Sequence, residues 1–398
     1  MNEMKRVMFL ALLSACGGTE PSTGTNHPVT IPSAAPSASS SATSPKDGPR
    51  VDATPLPSAS VKPNTNVALP PPRPTTLPLT LDRKRSEADA ALGRGDDAFE
   101  KGELTAAEAA YEEAKKLDPK RAAGAIGILR VKMANLNLPV EYAGAKGNKD
   151  LDRLTKALEK ELKREPECGA GQAEYGRALL LLGDAVGAKT ALERAVALLP
   201  NEPEAHSALG IAELATGKVE PSVKALKRAA ELDPGNGARR GNLATALLML
   251  GRVKESIAEY EIAARLADTD ARAHADLGAA LLSDGQLPRA IGEIKRAIEI
   301  DPTRAAFHTN LGYALQQEGK MDDAIREYRE AIRIDALFAS AWINLGTALA
   351  RNPSTRAEAR RALERAKAID PTDPRVIENL KELDELEKKS ASDRATKK

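Results

Sequence analysis

The chain has 398 residues, a formal net charge of +1 and an aromatic content of only 3%. This near-neutral charge gives no indication of a nucleic-acid partner. Alanine and leucine take the place of the aromatic side chains that usually fill a large globular core, which favours closely packed helix pairs.

The first residues have the features of an export signal. Lys5 and Arg6 precede an apolar segment, residues 7–13, that is too short to cross a bilayer as a helix. The letters LSAC then end at Cys16, and they resemble the lipobox of bacterial lipoproteins. The resemblance implies a signal peptide over residues 1–15, lipidation of Cys16 and anchoring in the cell envelope, with Gly17 favouring the outer membrane. The alternative is an ordinary secretory signal in which Cys16 is incidental.

Residues 16–80 are rich in proline, serine, threonine and alanine, and contain few large apolar side chains. Such a segment cannot bury enough surface to offset its conformational entropy, so we expect a disordered tether. As a coil of roughly 60 residues it would span on the order of 45 Å. The simplest interpretation is a spacer, and the alternative is that its LPPPRP stretch is a ligand for a proline-recognising domain.

From residue 81 the sequence repeats with a period of 34 residues, as the spacing of Gly278, Gly312 and Gly346 illustrates. We number each repeat so that these glycines occupy position 8. Glycine recurs at position 15, small residues recur at positions 20 and 27, and proline recurs at position 32. Apolar residues three and four apart on either side of position 15 predict two amphipathic helices per repeat. The position-15 glycine ends the first helix, and the proline ends the second.

This pattern resembles the tetratricopeptide repeat family, which implies an all-α, right-handed superhelical solenoid of about eight repeats. Position 4, often tryptophan in that family, is tryptophan only at Trp342 and is histidine at His206, His274 and His308. We interpret these histidines as packing residues, because equivalent positions in stacked repeats lie too far apart to share a metal ion.

The predicted organisation has six parts. After the signal peptide and tether come a first repeat (81–121), a degenerate repeat with an inserted loop at 137–149 (122–168), six repeats (169–373), and a capping helix with a frayed tail (374–398). The second cysteine, Cys168, lies at a repeat junction. We expect it to be inert there, with pairing between chains as the alternative.

Binding residues are expected on the concave face, which the first helices line in the family. Position 6 carries Asn242, Asp276, Asn310 and Asn344, and an asparagine ladder of this kind can hydrogen-bond an extended peptide backbone. Asparagine is also frequent there without a ligand, so a purely structural role stays open. The remaining groove candidates are Tyr313, Gln316, Gln317, Thr347 and Arg351. Upstream, the residues expected to face the groove are more apolar as a set, so we expect that half to bind an apolar segment: Arg177, Leu180, Ile211, Leu214, Leu248 and Met249.

No motif for catalysis, a cofactor or a metal is recognisable, so we expect no enzyme and no cofactor. The predicted function is a lipid-anchored scaffold of the bacterial envelope that binds proteins or peptides through its groove. Two alternatives remain: an accessory subunit of an envelope machine (pilus, secretion, TonB-type transport or outer-membrane assembly), and an adaptor for a cell-wall enzyme that uses the inserted loop. The sequence does not indicate the partner, the side of the membrane or the oligomeric state.

Overall fold

The computed structural model describes Leu79, residues 86–138 and residues 142–395. Every regular element in these ranges is an α-helix, so the all-α prediction is confirmed. The signal peptide, Cys16 and all of the predicted tether except Leu79 lie outside the described residues. The 17 helices fall into two compact units, one ending at Ala267 and the other beginning at Asp268.

The first unit contains ten helices. They are α1 (Glu87–Glu100), α2 (Leu104–Leu117), α3 (Ala123–Ala134), α4 (Lys149–Arg164), α5 (Gly169–Leu182), α6 (Ala185–Leu198), α7 (Pro203–Ala215), α8 (Val219–Leu232), α9 (Gly237–Met249) and α10 (Val253–Leu266). Within each pair the two helices pack closely against each other, as in a tetratricopeptide solenoid. Only α3 departs from this pattern, because it packs more extensively against α2 than against α4.

The second unit contains seven helices. They are α11 (Ala271–Ser283), α12 (Leu287–Ile300), α13 (Ala305–Gln317), α14 (Met321–Ile334), α15 (Ala339–Ala350), α16 (Arg356–Ile369) and α17 (Pro374–Ala395). The first six form three successive pairs, and α17 packs on α15 and α16 as a final helix. It continues to Ala395, beyond the start of the tail that was expected to fray, and no glycine or proline in that stretch interrupts it.

Glycine ends the first helix of most repeats, as predicted. Gly285 follows α11 with φ of 78°, and Gly319 follows α13 with φ of 85°. This left-handed conformation is favourable for glycine and strained for residues with a Cβ. At the ends of second helices an aspartate closes the chain into a turn: Asp301 Oδ1 accepts a hydrogen bond from the Thr303 amide at 3.0 Å.

The small residues of the repeat mark the closest helix contacts. A Cβ added to Gly278 would lie 2.6 Å from Ile294 Cγ1, and one added to Gly312 would lie 2.7 Å from Tyr328 Cε1. Ala290 on the partner helix is fully buried. The predicted close approach of the two helices at position 8 is therefore present.

The inserted loop is docked on helix α5. The amides of Ala143 and Ala145 donate to the carbonyl oxygens of Leu180 and Leu181 at 2.9 and 3.0 Å. The Tyr142 hydroxyl donates to the Gly183 carbonyl at 3.0 Å. These carbonyls belong to the last turn of α5 and its cap, where the regular helical hydrogen bonds end, although the Leu180 carbonyl also accepts from the Gly183 amide at 3.0 Å. The described part of the loop therefore completes a helix end.

Candidate functional site

In several repeats the residue at position 4 connects the repeat to the end of the preceding one. His206 Nε2 lies 2.9 Å from the Pro200 carbonyl oxygen, and the Trp342 indole N–H donates to the Ala336 carbonyl at 3.0 Å. His274 makes the equivalent contact at 3.2 Å, and its Nδ1 lies 2.8 Å from Glu293. These rings therefore have structural partners. Among the described residues, no cluster of three or more histidine, cysteine or acidic side chains is arranged to hold a metal.

In the second unit, Asn310 and Tyr313 on α13 are buried, although both were predicted to face the groove. Asn310 is 2% exposed, and within the described chain its Nδ2 has no hydrogen-bond partner. Tyr313 is also buried, and burial raises the pKa of its phenol, while a hydrogen bond with Gln317 acts in the opposite direction. A ligand would reach the Asn310 amide only after neighbouring side chains move.

The exposed part of the candidate groove lies at the ends of two packed first helices. Gln317 on α13 and Arg351 just after α15 occupy equivalent repeat positions, and both are exposed. Gln316 beside them is partly buried, and its Oε1 accepts a hydrogen bond from the Tyr328 hydroxyl at 3.1 Å. Arg351 also acts electrostatically on Glu382 of α17 and opposes the effect of burial, which raises the pKa of that carboxyl. The arrangement presents amide and guanidinium donors to solvent.

Two further candidates already have partners. Thr347 donates to the Ile343 carbonyl at 2.9 Å and accepts from Asn379 of α17 at 3.1 Å, so the last helix covers it. Asp276 lies 3.7 Å from Arg272 Nε one helical turn away. Asn344 is buried at 7% exposure. The structure thus brings the candidates of α13 and α15 together but exposes only some of them.

The prediction of an apolar groove in the first unit is wrong for most of the residues that were expected to line it. Their side chains are at most 3% exposed and lie inside the packed core: Leu180, Ile211, Leu214 and Leu248. Leu180, Ile211 and Leu214 belong to a cluster of buried apolar side chains that includes Leu192 and Leu226 of the second helices, so they are part of the core and not of an open surface. Met249 is partly buried. Asn242 is 6% exposed, and its Nδ2 has no hydrogen-bond partner among the described residues.

A buried charged cluster in the first unit was not expected. Asp96 Oδ1 accepts a hydrogen bond from the Tyr111 hydroxyl at 2.8 Å and lies 3.3 Å from Arg130 Nη1. Arg130 Nε lies 3.4 Å from Glu174, and its guanidinium lies 5.3 Å from the ring centre of Phe99. Burial raises the pKa of Asp96, and Arg130 opposes that effect. One sequence signal was available: Asp96 and Arg130 are one period apart and opposite in charge.

Cys168 is buried and unpaired. It precedes α5, and burial raises the pKa of its thiol from 9.0 to about 11. The expected inert position agrees with this burial, since a thiol with a raised pKa forms little thiolate near neutral pH. As for membrane insertion, no described helix combines the length and apolar character that a membrane span requires.

Two models of known protein families match segments that contain the repeats. A family model described as Tetratricopeptide repeat matches residues 80–122, 187–237 and 309–374. A second, described as Bacterial transcriptional activator domain, matches residues 261–336, a stretch of successive helix pairs. A search of curated proteins found no match.

Solved structures of helical repeat proteins also match. A chain of the APC/C hetero-tetramer Cut9-Hcn1 matches with a TM-score of 0.51 and 16% identity over 74% of this chain. This chain spans only 55% of that one. YrrB, a TPR protein with an unusual peptide-binding site, gives a TM-score of 0.39 and 20% identity over 48% of this chain and 99% of its own. PilF of Pseudomonas aeruginosa gives a TM-score of 0.46 and 19% identity over 55% of this chain and 99% of its own.

At these identities the likeness concerns the fold alone. The matched segments nevertheless coincide with helix pairs in both compact units, and those pairs contain the glycine and alanine positions of the 34-residue period. The helix pairs within the matched segments are tetratricopeptide repeats.

Proposed function

We propose that this chain is a non-enzymatic scaffold of the bacterial envelope, which binds a protein or peptide partner and is anchored by lipid on Cys16. The binding surface is the edge formed by the C-terminal ends of α13 and α15. The observation that carries the proposal is the pair Gln317 and Arg351, which are exposed at equivalent positions of consecutive repeats. Repetition of donors at one spacing suits a partner that is itself extended.

The chemistry of this edge favours a polar partner segment with a carboxylate. The Arg351 guanidinium offers a planar set of donors that can pair with both oxygens of a carboxylate, and Gln317 can bond a peptide N–H or C=O. Tyr313 and Asn310 on α13 are buried. Tyrosine and arginine are both enriched at binding hot spots.

Site-specific photocrosslinking in cells tests the binding surface. A photoreactive residue at Gln317 should crosslink one dominant partner, and Arg351→Glu should abolish that product because it repels an acidic segment. The matched control places the same photoreactive residue at Arg326, which is 69% exposed on the second helix α14. The same partners from both positions would place the interface elsewhere and would contradict the proposal.

The membrane anchor rests on the resemblance of the LSAC sequence to a lipobox. Covalent lipid anchors a protein stably when more than one acyl chain is attached. Metabolic labelling with an alkyne fatty acid should label the wild-type chain, and Cys16→Ser should lose both the label and the membrane fractionation. Cys168→Ser is the control and should keep both. Membrane association that persists without label in Cys16→Ser would rule out the lipid anchor.

A further inference from the structure

Leu79 makes a defined contact with the first repeat, although it belongs to the segment predicted as a tether. Its side chain is 1% exposed, in the same cluster of buried apolar side chains as Leu92, Phe99 and Ile126. Its backbone N–H donates a hydrogen bond of 2.9 Å to Asp96 Oδ2. The first repeat therefore binds both the apolar side chain and the main-chain amide of Leu79.

The acceptor for this amide is held in place by the repeat itself. Tyr111 and Arg130 both bind the other oxygen, Asp96 Oδ1, at 2.8 and 3.3 Å. Arg130 in turn pairs with Glu174 and lies over Phe99. Asp96 Oδ2 is thus positioned by groups other than Leu79, which is the property of a preformed binding site.

Helix α1 does not need Leu79 in order to begin. Ser86 caps the helix: its Oγ accepts from the Asp89 amide at 3.1 Å, and its own amide donates to Asp89 Oδ2 at 3.2 Å. This reciprocal capping box supplies the hydrogen bonds that a helix start requires. The contact of Leu79 with Asp96 is therefore not needed for α1 to begin, and its removal leaves the start of the helix intact.

We propose that Asp96, Phe99 and Arg130 form a second peptide site, which takes a leucine-bearing extended segment, and that Leu79 occupies it as an internal competitor of the partner. Asp96 recognises a main-chain N–H, which every residue except proline offers. The preference for leucine over other residues therefore comes from the apolar pocket. When proteins bind extended peptides, main-chain hydrogen bonds contribute affinity and pockets for side chains contribute specificity. The proposal rests on the peptide-binding function above only in supposing that an external segment is bound.

Leu79 is part of the same chain as the site, and this connection determines how strongly it competes with an external peptide. Leu79 is separated from Ser86 by a short connection, and a short connection gives an effective local concentration of about millimolar. An external peptide of similar chemistry binds only weakly while Leu79 is in place. A partner gains access if it presents a tighter segment, or if it draws the tether away from the repeat.

The test uses the full chain and a fluorescent peptide that copies residues 75–83, TTLPLTLDR. The Leu79→Asp variant empties the site, because it removes the apolar side chain and places a carboxylate near Asp96. We expect the peptide to bind Leu79→Asp at least tenfold more tightly than it binds wild type. Leu69→Asp makes the same chemical change ten residues upstream and should behave as wild type. A peptide in which only the central leucine is replaced by aspartate should not bind.

A second measurement does not depend on any variant. In wild type the Leu79 amide should exchange with solvent at least tenfold more slowly than in an unstructured peptide, and excess peptide should remove that protection. Equal binding to wild type and Leu79→Asp, or an unprotected Leu79 amide, would overturn the proposal. Crosslinking at Gln317 reports on the second unit, so either proposal can fail while the other stands.

Discussion

The indole N–H of Trp342 donates a 3.0 Å hydrogen bond to the carbonyl oxygen of Ala336, six residues upstream. His206 and Gln172 make the same connection, to Pro200 and Pro166. A tryptophan, a histidine and a glutamine thus make the same contact, because each places an N–H donor beside a carbonyl oxygen at the end of the preceding repeat. The shared donor explains how tryptophan, histidine and glutamine can each make this contact.

The first prediction tests that donor. Trp342→Phe keeps an aromatic ring but leaves the Ala336 carbonyl without its side-chain partner, and we expect a loss of about 0.5–1.5 kcal/mol in the free energy of unfolding. Trp342→His is the matched control, since it restores the donor found at His206, and it should be the more stable variant. Urea unfolding followed by circular dichroism measures both. Equal stability of the two variants would show that ring packing alone matters.

The second prediction concerns the close approach at Gly278. A Cβ there would lie 2.6 Å from Ile294 Cγ1 and 3.3 Å from the Ala290 carbonyl oxygen, so the Ile294 side chain or its helix must shift. We expect Gly278→Ala to lower the free energy of unfolding by about 1–3 kcal/mol, and Gly278→Leu to lower it further.

Gly292 on α12 is the matched control for this substitution. It is exposed, and a Cβ there would meet nothing within 4 Å. Gly292→Ala should raise stability by about 0.5–1 kcal/mol, because alanine favours the helix. Thermal unfolding of the two alanine variants should therefore shift in opposite directions, and a shift in the same direction would refute the packing argument.

These results show which features could be predicted from the sequence. Gly285 and Ala290 recur at fixed positions, so the period alone located helix ends and close contacts. Burial at Leu180 and the Leu79 contact with Asp96 could not be predicted. Both depend on how closely neighbouring helices approach and on which side chain fills the space between them. A one-dimensional repeat specifies which face a residue lies on, but not whether that face stays open.

The third prediction concerns the thiol of Cys168. Burial raises its pKa from 9.0 to about 11, so less thiolate is present at any pH below that value. In a Cys16→Ser background, we expect Cys168 to react with a disulfide reagent at pH 8 about 100-fold more slowly than a free cysteine, in proportion to the thiolate fraction. The rate should increase as the pH approaches 11 and when urea unfolds the chain. Rapid labelling of the folded chain at pH 8 would contradict the buried position.

The fourth prediction tests whether the inserted loop stabilises α5. Tyr142→Phe removes the hydroxyl that donates to the Gly183 carbonyl and should cost about 0.5–1.5 kcal/mol. Tyr175→Phe is the control, because it makes the same change in the first unit on α5 itself. Deletion of residues 137–149 should destabilise the chain, since the carbonyls at the end of α5 lose three donors and α4 loses its N-cap Asn148. A deletion variant that melts like wild type but loses its partner would instead support the loop as an adaptor surface.

The last prediction concerns the buried charge of Arg130. Its side chain is 1% exposed, and it lies between Asp96 and Glu174, which are each 13% exposed. Arg130→Met would leave two partly desolvated carboxylates without their cation, and we expect a loss of about 3–5 kcal/mol in the free energy of unfolding.

Arg94→Met is the matched control, because Arg94 pairs with Glu113 at 2.7 Å but both side chains are more than half exposed. Its loss should stay below about 1 kcal/mol. The loss of stability caused by Arg130→Met should also depend on pH. Without Arg130 the pKa of Asp96 rises further above its usual value of 3.8, so the folded protein binds a proton more readily than the unfolded chain. That protonation stabilises the folded state at low pH and is lost as the pH rises, so the Arg130→Met defect should be larger at pH 7 than near pH 4. A defect that is equal at both values would show that the cost comes from lost packing of the arginine side chain.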